Sequence, residues 1–516
     1  MKKVSSVKIN FIMNFILTIS NFIFPLITFP YVSRILLAEG LGTVNFATSI
    51  VTYFSMLGML GIPTYGIRAC AKVRDDKEKL NKTVIEIMIL NAIVMSIALV
   101  LLLVSVLSIE KLYTERMLYL ILSSTLVFNV LGVDWLYRSL EKYTYITIRS
   151  IVFKFISVIL MFLFVHQTQD YLIYGAISVF AAVGSNVLNF INLRKLISIP
   201  SINDLNIFQH LKPTLTFFLL TVSSTIYLNV DTTMLGFIKG SEAVGYYSAA
   251  VKIKQILVSV VTSLGTVLLP RLSYYYEQGN HEEFKRLTQK ALNFVFLISL
   301  PMVIYFILVS KEAILFLSGD NFIQAVLPMQ LIMPTVLFIG LSNLMGMQIL
   351  VPTNREKLVV YSTIIGALVD IIVNIFAIPL FGAGGAAFAG TIAEFSVALA
   401  QFIFLKEFIL PILKKIDFIK IGLSLLLATL VTAWLLSIIS LGIFWTLFLT
   451  SIVYFALYGL SLLFQKEEFV HETWNTVLLK IKKKEKNMNN YDYLVVGAGL
   501  FGAVFAREAE KKKKKI

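Results

Sequence analysis

Long apolar runs separated by short polar breaks organise most of this chain. They fall at about residues 9–33, 41–62, 84–108, 116–137, 146–165, 171–193, 211–237, 243–269, 291–310, 326–350, 358–380, 384–405, 418–440 and 443–464. A helix needs about 20 predominantly apolar residues to cross a hydrocarbon core, and each run is long enough to do so with some tilt. The pattern predicts an all-α polytopic membrane protein of about 14 transmembrane helices. The apolar stretch after Met1-Lys2-Lys3 has no small-residue cleavage site and reads as a retained first span.

Composition identifies the solvent. Hydrophobic residues make up 58% of the chain and charged residues 15%, with a mean hydropathy of +0.83. Soluble domains carry about 25% charged residues, and so apolar a chain in water would expose far more hydrophobic surface than it tolerates. The bilayer is its expected solvent.

The net charge of +15 matters less than its placement. With a cytoplasmic N-terminus, the cytoplasmic breaks hold Lys2, Lys3 and Lys8, then Arg68 to Lys82, Arg138 to Arg149, and Arg194, Lys195 and Lys212. Arg271 to Lys290, Arg355 and Lys357, and Lys406 to Lys420 continue the series. The external breaks hold only Arg34, Lys111, Arg116, Lys239 and Lys311. Lys and Arg favour the cytoplasmic side, so both termini are expected there, in the cell membrane. External loops are short, the longest around 311–324, which argues against a membrane-embedded polymerase needing a catalytic loop. A single cysteine, Cys70, excludes an internal disulfide and a cysteine metal cluster, and reads as a small apolar filler. The four histidines have no ligand spacing, and no metal beyond a transported Na⁺ and no cofactor is expected.

An internal repeat points to transport. Glu39-Gly40-Leu41-Gly42 opens the second span, and Glu242-Ala243-Val244-Gly245 opens the eighth. Each is followed by an apolar span, then a proline and an arginine (Pro63 and Arg68; Pro270 and Arg271), and then a charged stretch. Those stretches are Asp75-Asp76-Lys77-Glu78-Lys79-Leu80 and His281-Glu282-Glu283-Phe284-Lys285-Arg286-Leu287. Glu141-Lys142 likewise matches Glu356-Lys357.

Two six-helix halves with this Glu-x-x-Gly and these basic loops resemble the polysaccharide-exporter branch of the multidrug/oligosaccharidyl-lipid/polysaccharide flippase superfamily, and Wzx-type repeat-unit flippases within it. The likeness covers about residues 1–465 and rests on diffuse pattern. It implies an N-terminal lobe at 1–200, a C-terminal lobe at 201–410, two appended spans at 411–465 and a basic cytoplasmic tail at 466–487. It further implies alternating access around a central cavity, by a monomer. The implied substrate is an undecaprenyl-diphosphate-linked oligosaccharide for capsule or O-antigen assembly, with a polysaccharide polymerase as a possible functional partner. No nucleic acid is expected as a partner.

Ionisable residues at membrane depth cost a few kcal/mol on insertion scales and usually face a cavity or a partner. Arg34, Lys154 and one of Lys252 and Lys254 are candidates to hold the diphosphate, because charge-assisted hydrogen bonds to phosphate are strong. Lys252 and Lys254, two residues apart, cannot share a helix face. Interfacial snorkelling is the competing reading for these side chains. Asp134 and Trp135, with Tyr137 beside them, are candidates for sugar contact, against an interfacial anchoring role.

Asp370 and Asn374 lie one helical turn apart in the eleventh span, and Asp231 lies late in the seventh. With Thr391 and Glu394, at i and i+3 in the twelfth, they make a candidate site for a coupling cation, Na⁺ or H⁺. Cation-coupled members of the superfamily place comparable acids on the C-terminal half. The alternatives are pairing with a basic residue, or an interfacial position for Asp231.

From about Lys480 the composition changes. A lysine-rich run leads into an apolar strand and Gly497-x-Gly499-x-x-Gly502, the phosphate-cradling start of a dinucleotide-binding fold. Residues 488–516 resemble the N-terminus of UDP-galactopyranose mutase. One βα piece cannot hold FAD or NAD, so an oxidoreductase is rejected and the segment is expected to be non-functional, as from a joined neighbouring reading frame. That would place a galactofuranose-making gene beside this one. Competing functions are a cation-coupled multidrug exporter of the same superfamily, a membrane-embedded polymerase and a non-catalytic scaffold.

Overall fold

The computed structural model describes residues 7–198, 205–472 and 474–475. The expected βα fragment at 488–516 and most of the basic tail lie outside these residues. Among the described residues every regular element is helical. The α-helices are α1 (Val7–Met59), α2 (Ile62–Val73), α3 (Lys77–Ser108), α4 (Glu110–Tyr113), α5 (Arg116–Gly132), α6 (Asp134–Ser139), α7 (Tyr143–Phe164), α8 (Tyr171–Val179), α9 (Asn186–Leu193) and α10 (Leu211–Lys239). They continue as α11 (Ser241–Glu277), α12 (His281–Leu308), α13 (Ser310–Ser318), α14 (Val326–Ile332), α15 (Thr335–Asn343), α16 (Glu356–Phe381), α17 (Ala383–Phe404), α18 (Lys406–Leu413), α19 (Phe418–Ile438) and α20 (Ile443–Phe464).

Among the described residues, eleven of the helices, some continuous across a break, are long and apolar enough to cross a membrane, or up to 13 spans if two bent pairs count as one span each. The first of these runs from Ile12 to Val73 and contains the two opening spans of the sequence pattern. They part at Leu37, whose φ of 57° and ψ of −174° interrupt α1. Gly240, between α10 and α11, has nearly the same backbone, φ 91° and ψ −178°. The two halves therefore make the same turn, one with glycine and one with a leucine in a region that is essentially glycine-only and costs roughly 1–3 kcal/mol. The segment 311–324, expected as a loop, is mostly helical, with α13 followed by a short 3-10 stretch at Asp320–Ala325.

The repeat extends to helix starts. Asp76 caps α3 by accepting from the Lys79 N–H at 3.1 Å, and Asn280 caps α12 by accepting from the Glu283 N–H at 3.1 Å. The Lys79 backbone N–H, then its ammonium, hold the exposed Asp76 carboxyl below its ordinary value.

The chain divides into two compact units, residues 1–413 with 439–449, and residues 414–438 with those from 450 onward. In the first, the opening arm of α1 runs parallel to α7. Thr147 donates to the Met13 carbonyl at 3.0 Å, Lys154 to the Ser20 hydroxyl at 2.8 Å, and Tyr31 to the Val165 carbonyl at 2.8 Å. The second arm runs antiparallel to α10, with Phe46 against Gly236, the Ser49 and Thr233 hydroxyls 3.0 Å apart, and Gly61 against Thr214 and Phe218. The far side of α7 exposes Ile148, Val152, Phe155, Ile159 and Leu163, an apolar stripe at helical spacing that suits hydrocarbon. In the second unit Ser424 donates to the Ser461 hydroxyl at 2.9 Å and Gln465 donates to both, joining α19 to the latter part of α20. The chain is a multi-pass membrane protein.

Candidate functional site

The most concentrated polar arrangement in the first unit lies where α10, α11, α16 and α17 meet. Asn374 is fully buried and donates its Nδ2 to Asp231 Oδ1 at 2.7 Å and to Asp370 Oδ1 at 3.2 Å. The Tyr247 hydroxyl donates to the other Asp231 oxygen at 2.5 Å. Asp231 is therefore a buried residue held from two sides, not an interfacial one. Gly390 permits this closeness: a Cβ there would stand 3.2 Å from Asp231 Oδ2 and 4.0 Å from the Tyr247 hydroxyl. Glu394, one turn along α17, lies beside the hydroxyl of Tyr227, which is itself one turn from Asp231 on α10. The Asn374 Oδ1 oxygen is buried with no hydrogen-bond partner. Two carboxylates sharing a buried amide, with an unsatisfied neutral oxygen beside them, are hard ligands of the kind that suit a small cation, and buried polar atoms are seldom left unpaired without a reason.

Thr391 donates its hydroxyl proton to the Leu331 carbonyl at 2.6 Å and the Ala387 carbonyl at 3.0 Å. Lys254 lies within electrostatic reach of Asp231, Asp370 and Glu394, with no hydrogen bond or ion pair to any of them. Lys252 points differently, its ammonium 5.8 Å from the centre of the Phe29 ring. The two lysines diverge, as their spacing requires.

The other candidates are dispersed. Lys154 is half-buried and bonds Ser20 and Asn21 of α1. Arg34 spends its guanidinium on carbonyls, those of Pro30 at 2.7 Å, Phe316 at 2.5 Å and Leu317 at 3.4 Å, and so ties α1 to the end of α13. Asp134 pairs with Arg149 at 2.8 Å and accepts from Asn189 at 2.6 Å, in a network that also joins Arg149 to Ser185 and Asn186. Trp135 and Tyr137 are buried, Trp135 against Gly66, so neither ring offers a surface for sugar. An apolar cavity of about 580 Å³ opens between α5, α7 and the segment 171–184, lined by Phe128, Phe153 and Phe180 among others. It is suited to hydrocarbon rather than to sugar.

The sequence reading missed Glu86. This residue is 1% exposed and accepts from the Asn206 N–H at 2.7 Å, Gln209 at 2.8 Å and His210 at 2.8 Å, while His210 meets the Tyr65 hydroxyl at 2.6 Å. The signal was present: a lone acid inside the apolar run of α3.

The sequence profile of the family described as "Polysaccharide biosynthesis protein" matches residues 7–276, more than half of the chain. The chain belongs to the polysaccharide biosynthesis protein family. A second profile, MatE, matches residues 216–376 of this polysaccharide biosynthesis protein, the stretch that carries Asp231, Asp370 and Asn374. A "Putative O-antigen transporter" of Escherichia coli (strain K12) is 25% identical over 340 residues, covering 66% of this chain and 82% of that protein. One of the same description from Shigella dysenteriae is 26% identical over 392 residues, covering 73% and 94%. The solved "Lipid II flippase MurJ, inward closed conformation" superposes with a TM-score of 0.69 at 16% identity, over 88% of this chain and 97% of that one. An inward-facing multidrug resistance MATE family transporter of the MOP superfamily superposes with a TM-score of 0.56 at 14% identity, over 75% and 96%. These likenesses bear out the flippase-superfamily resemblance and the helical membrane fold. The relatives are named as transporters and flippases, not as enzymes.

Proposed function

We propose that this polysaccharide biosynthesis protein is a flippase. It carries undecaprenyl-diphosphate-linked oligosaccharide repeat units from the cytoplasmic to the outer leaflet of the cell membrane, by alternating access between lobes at 1–200 and 201–410. The relatives named as O-antigen transporters support the polysaccharide cargo. The observation that carries the mechanism is the buried Asp231–Asn374–Asp370 cluster, a site for a coupling cation on the C-terminal half. Lys154 and Lys252, cationic side chains kept half-buried along otherwise apolar helices, are the proposed contacts for the diphosphate. In this reading both termini are cytoplasmic, the turns at Leu37 and Gly240 face outward, and the protein works as a monomer alongside a polymerase. The segment 488–516 is dispensable.

Gene deletion with complementation tests the reading. The expected result is accumulation of undecaprenyl-diphosphate repeat units on the cytoplasmic side, with export restored by residues 1–487. Normal surface polysaccharide in a deletion strain lacking any other flippase would overturn it. The second reading, a cation-coupled drug exporter, is favoured by the MatE match. Drug sensitivity without lipid-linked intermediates in the same strain would select it.

A further inference from the structure

Lys254 has no place in a purely acidic cation site, yet the fold brings it there. On α11 it lies seven residues, two helical turns, beyond Tyr247, on the same face. Tyr247 is bonded to Asp231. Because α11 runs back antiparallel to α10 after the Gly240 turn, those two turns lead from the level of Asp231 past that of Tyr227, Asp370 and Glu394. Helical side chains lean toward the N-terminus of their own helix, which aims the Lys254 stem back at the carboxylates. Its interaction with Asp231, Asp370 and Glu394 is coulombic with all three and hydrogen-bonded with none. Asp231 and Asp370 are themselves held by neutral donors, Tyr247 and Asn374. The ammonium is thus near the acids without being locked to any of them.

We propose that Lys254 is a tethered competitor for the cation site: its ammonium neutralises the Asp231, Asp370 and Glu394 carboxylates when the site is empty, and is displaced from them when Na⁺ enters. The inference rests on the cation site proposed above and removes Lys254 from the group of simple diphosphate ligands. Na⁺ is the cation to test, because the unpartnered Asn374 carbonyl oxygen supplies a ligand that a proton does not need. Linkage follows. An anion that draws Lys254 away from the carboxylates strengthens Na⁺ binding, and Na⁺ strengthens anion binding by the same factor.

Equilibrium binding of radioactive Na⁺ to the full chain in lipid nanodiscs, with and without inorganic pyrophosphate as the anionic probe, tests this. The expected result is that Lys254→Met tightens Na⁺ binding by on the order of tenfold, within the usual range of coupling between sites. Lys254→Arg should stay near wild type. Pyrophosphate should tighten Na⁺ binding in wild type and not in Lys254→Met. Na⁺ binding that Asp231→Asn abolishes but Lys254→Met leaves unchanged or weakens overturns the role of Lys254 alone. Na⁺ binding that Asp231→Asn leaves intact overturns the cation site itself, and absence of binding in both wild type and Lys254→Met overturns both.

Discussion

Gly42 and Gly245, equivalent positions of the repeated Glu-x-x-Gly, pack into each other's helices. A Cβ on Gly42 would stand 1.7 Å from the Ser241 carbonyl oxygen and 2.6 Å from the Gly245 nitrogen. A Cβ on Gly245 would stand 1.9 Å from the Ala38 carbonyl oxygen. The obstacles are backbone, which cannot swing aside as a flexible side chain would. With Arg34 bonded to the Phe316 and Leu317 carbonyls beside it, this contact closes the end of the bundle that we place outside. Gly42→Val and Gly245→Val are each expected to open that end, at a cost of at least about 1–3 kcal/mol for the closed form. Single cysteines near residues 38 and 241 should become more reactive to a membrane-impermeant thiol reagent, and export should fall about tenfold or more.

The acid cluster predicts a separation of folding from coupling. Asp231→Asn and Asp370→Asn keep the shape and most hydrogen bonds of the cluster while removing charge. Both variants should reach the membrane at wild-type levels and lose gradient-driven flipping in proteoliposomes. Transport by wild type that ignores imposed Na⁺ and pH gradients alike would remove the coupling role.

Glu86 anchors the start of α10 to α3 through three hydrogen-bond donors. Removing one partner of a buried ionic network leaves the others unpaired, at about 3–5 kcal/mol. Glu86→Ala should lower the thermal unfolding midpoint measured on detergent-solubilised protein far more than Glu78→Ala, an exposed acid on the same helix.

Asp134 and Arg149 should respond asymmetrically. The Arg149 side chain is 4% exposed and that of Asp134 41%. Asp134→Ala strands a buried guanidinium and is expected to cost about 3–5 kcal/mol. Arg149→Met leaves a carboxylate that water can reach and fills the buried volume with an apolar chain, so it should cost much less. The comparison of unfolding midpoints checks this, and equal losses would contradict the exposure difference.

Lys154 carries the clearest test of substrate contact. Its partners, Ser20 and Asn21, are neutral, so Lys154→Ala strands no charge. Flipping of a lipid-linked diphosphate should fall at matched expression while the protein remains folded. Normal flipping would end that role for Lys154.

The sequence by itself determined the solvent, the helical class and the repeat. Apolar runs of membrane length leave a helix as the simplest way to satisfy backbone polar groups in lipid. Local chemistry also showed through: the one-turn relation of Asp370 to Asn374 and the divergence of Lys252 from Lys254 both follow from helical period. Partners across helices did not. Asp231 lies 143 residues from Asn374, and no periodicity says which of several intramembrane charges will meet. Arg34, Asp134 and Trp135 looked like ligand contacts because residue type was all that could be read. The fold instead gave Arg34 three carbonyls, Asp134 a buried arginine and Trp135 a glycine to pack against. The first turn was legible as the polar break at 34–40, but its geometry was not: leucine carries no turn signal, and packing of the two halves against each other holds it in a backbone region that leucine avoids.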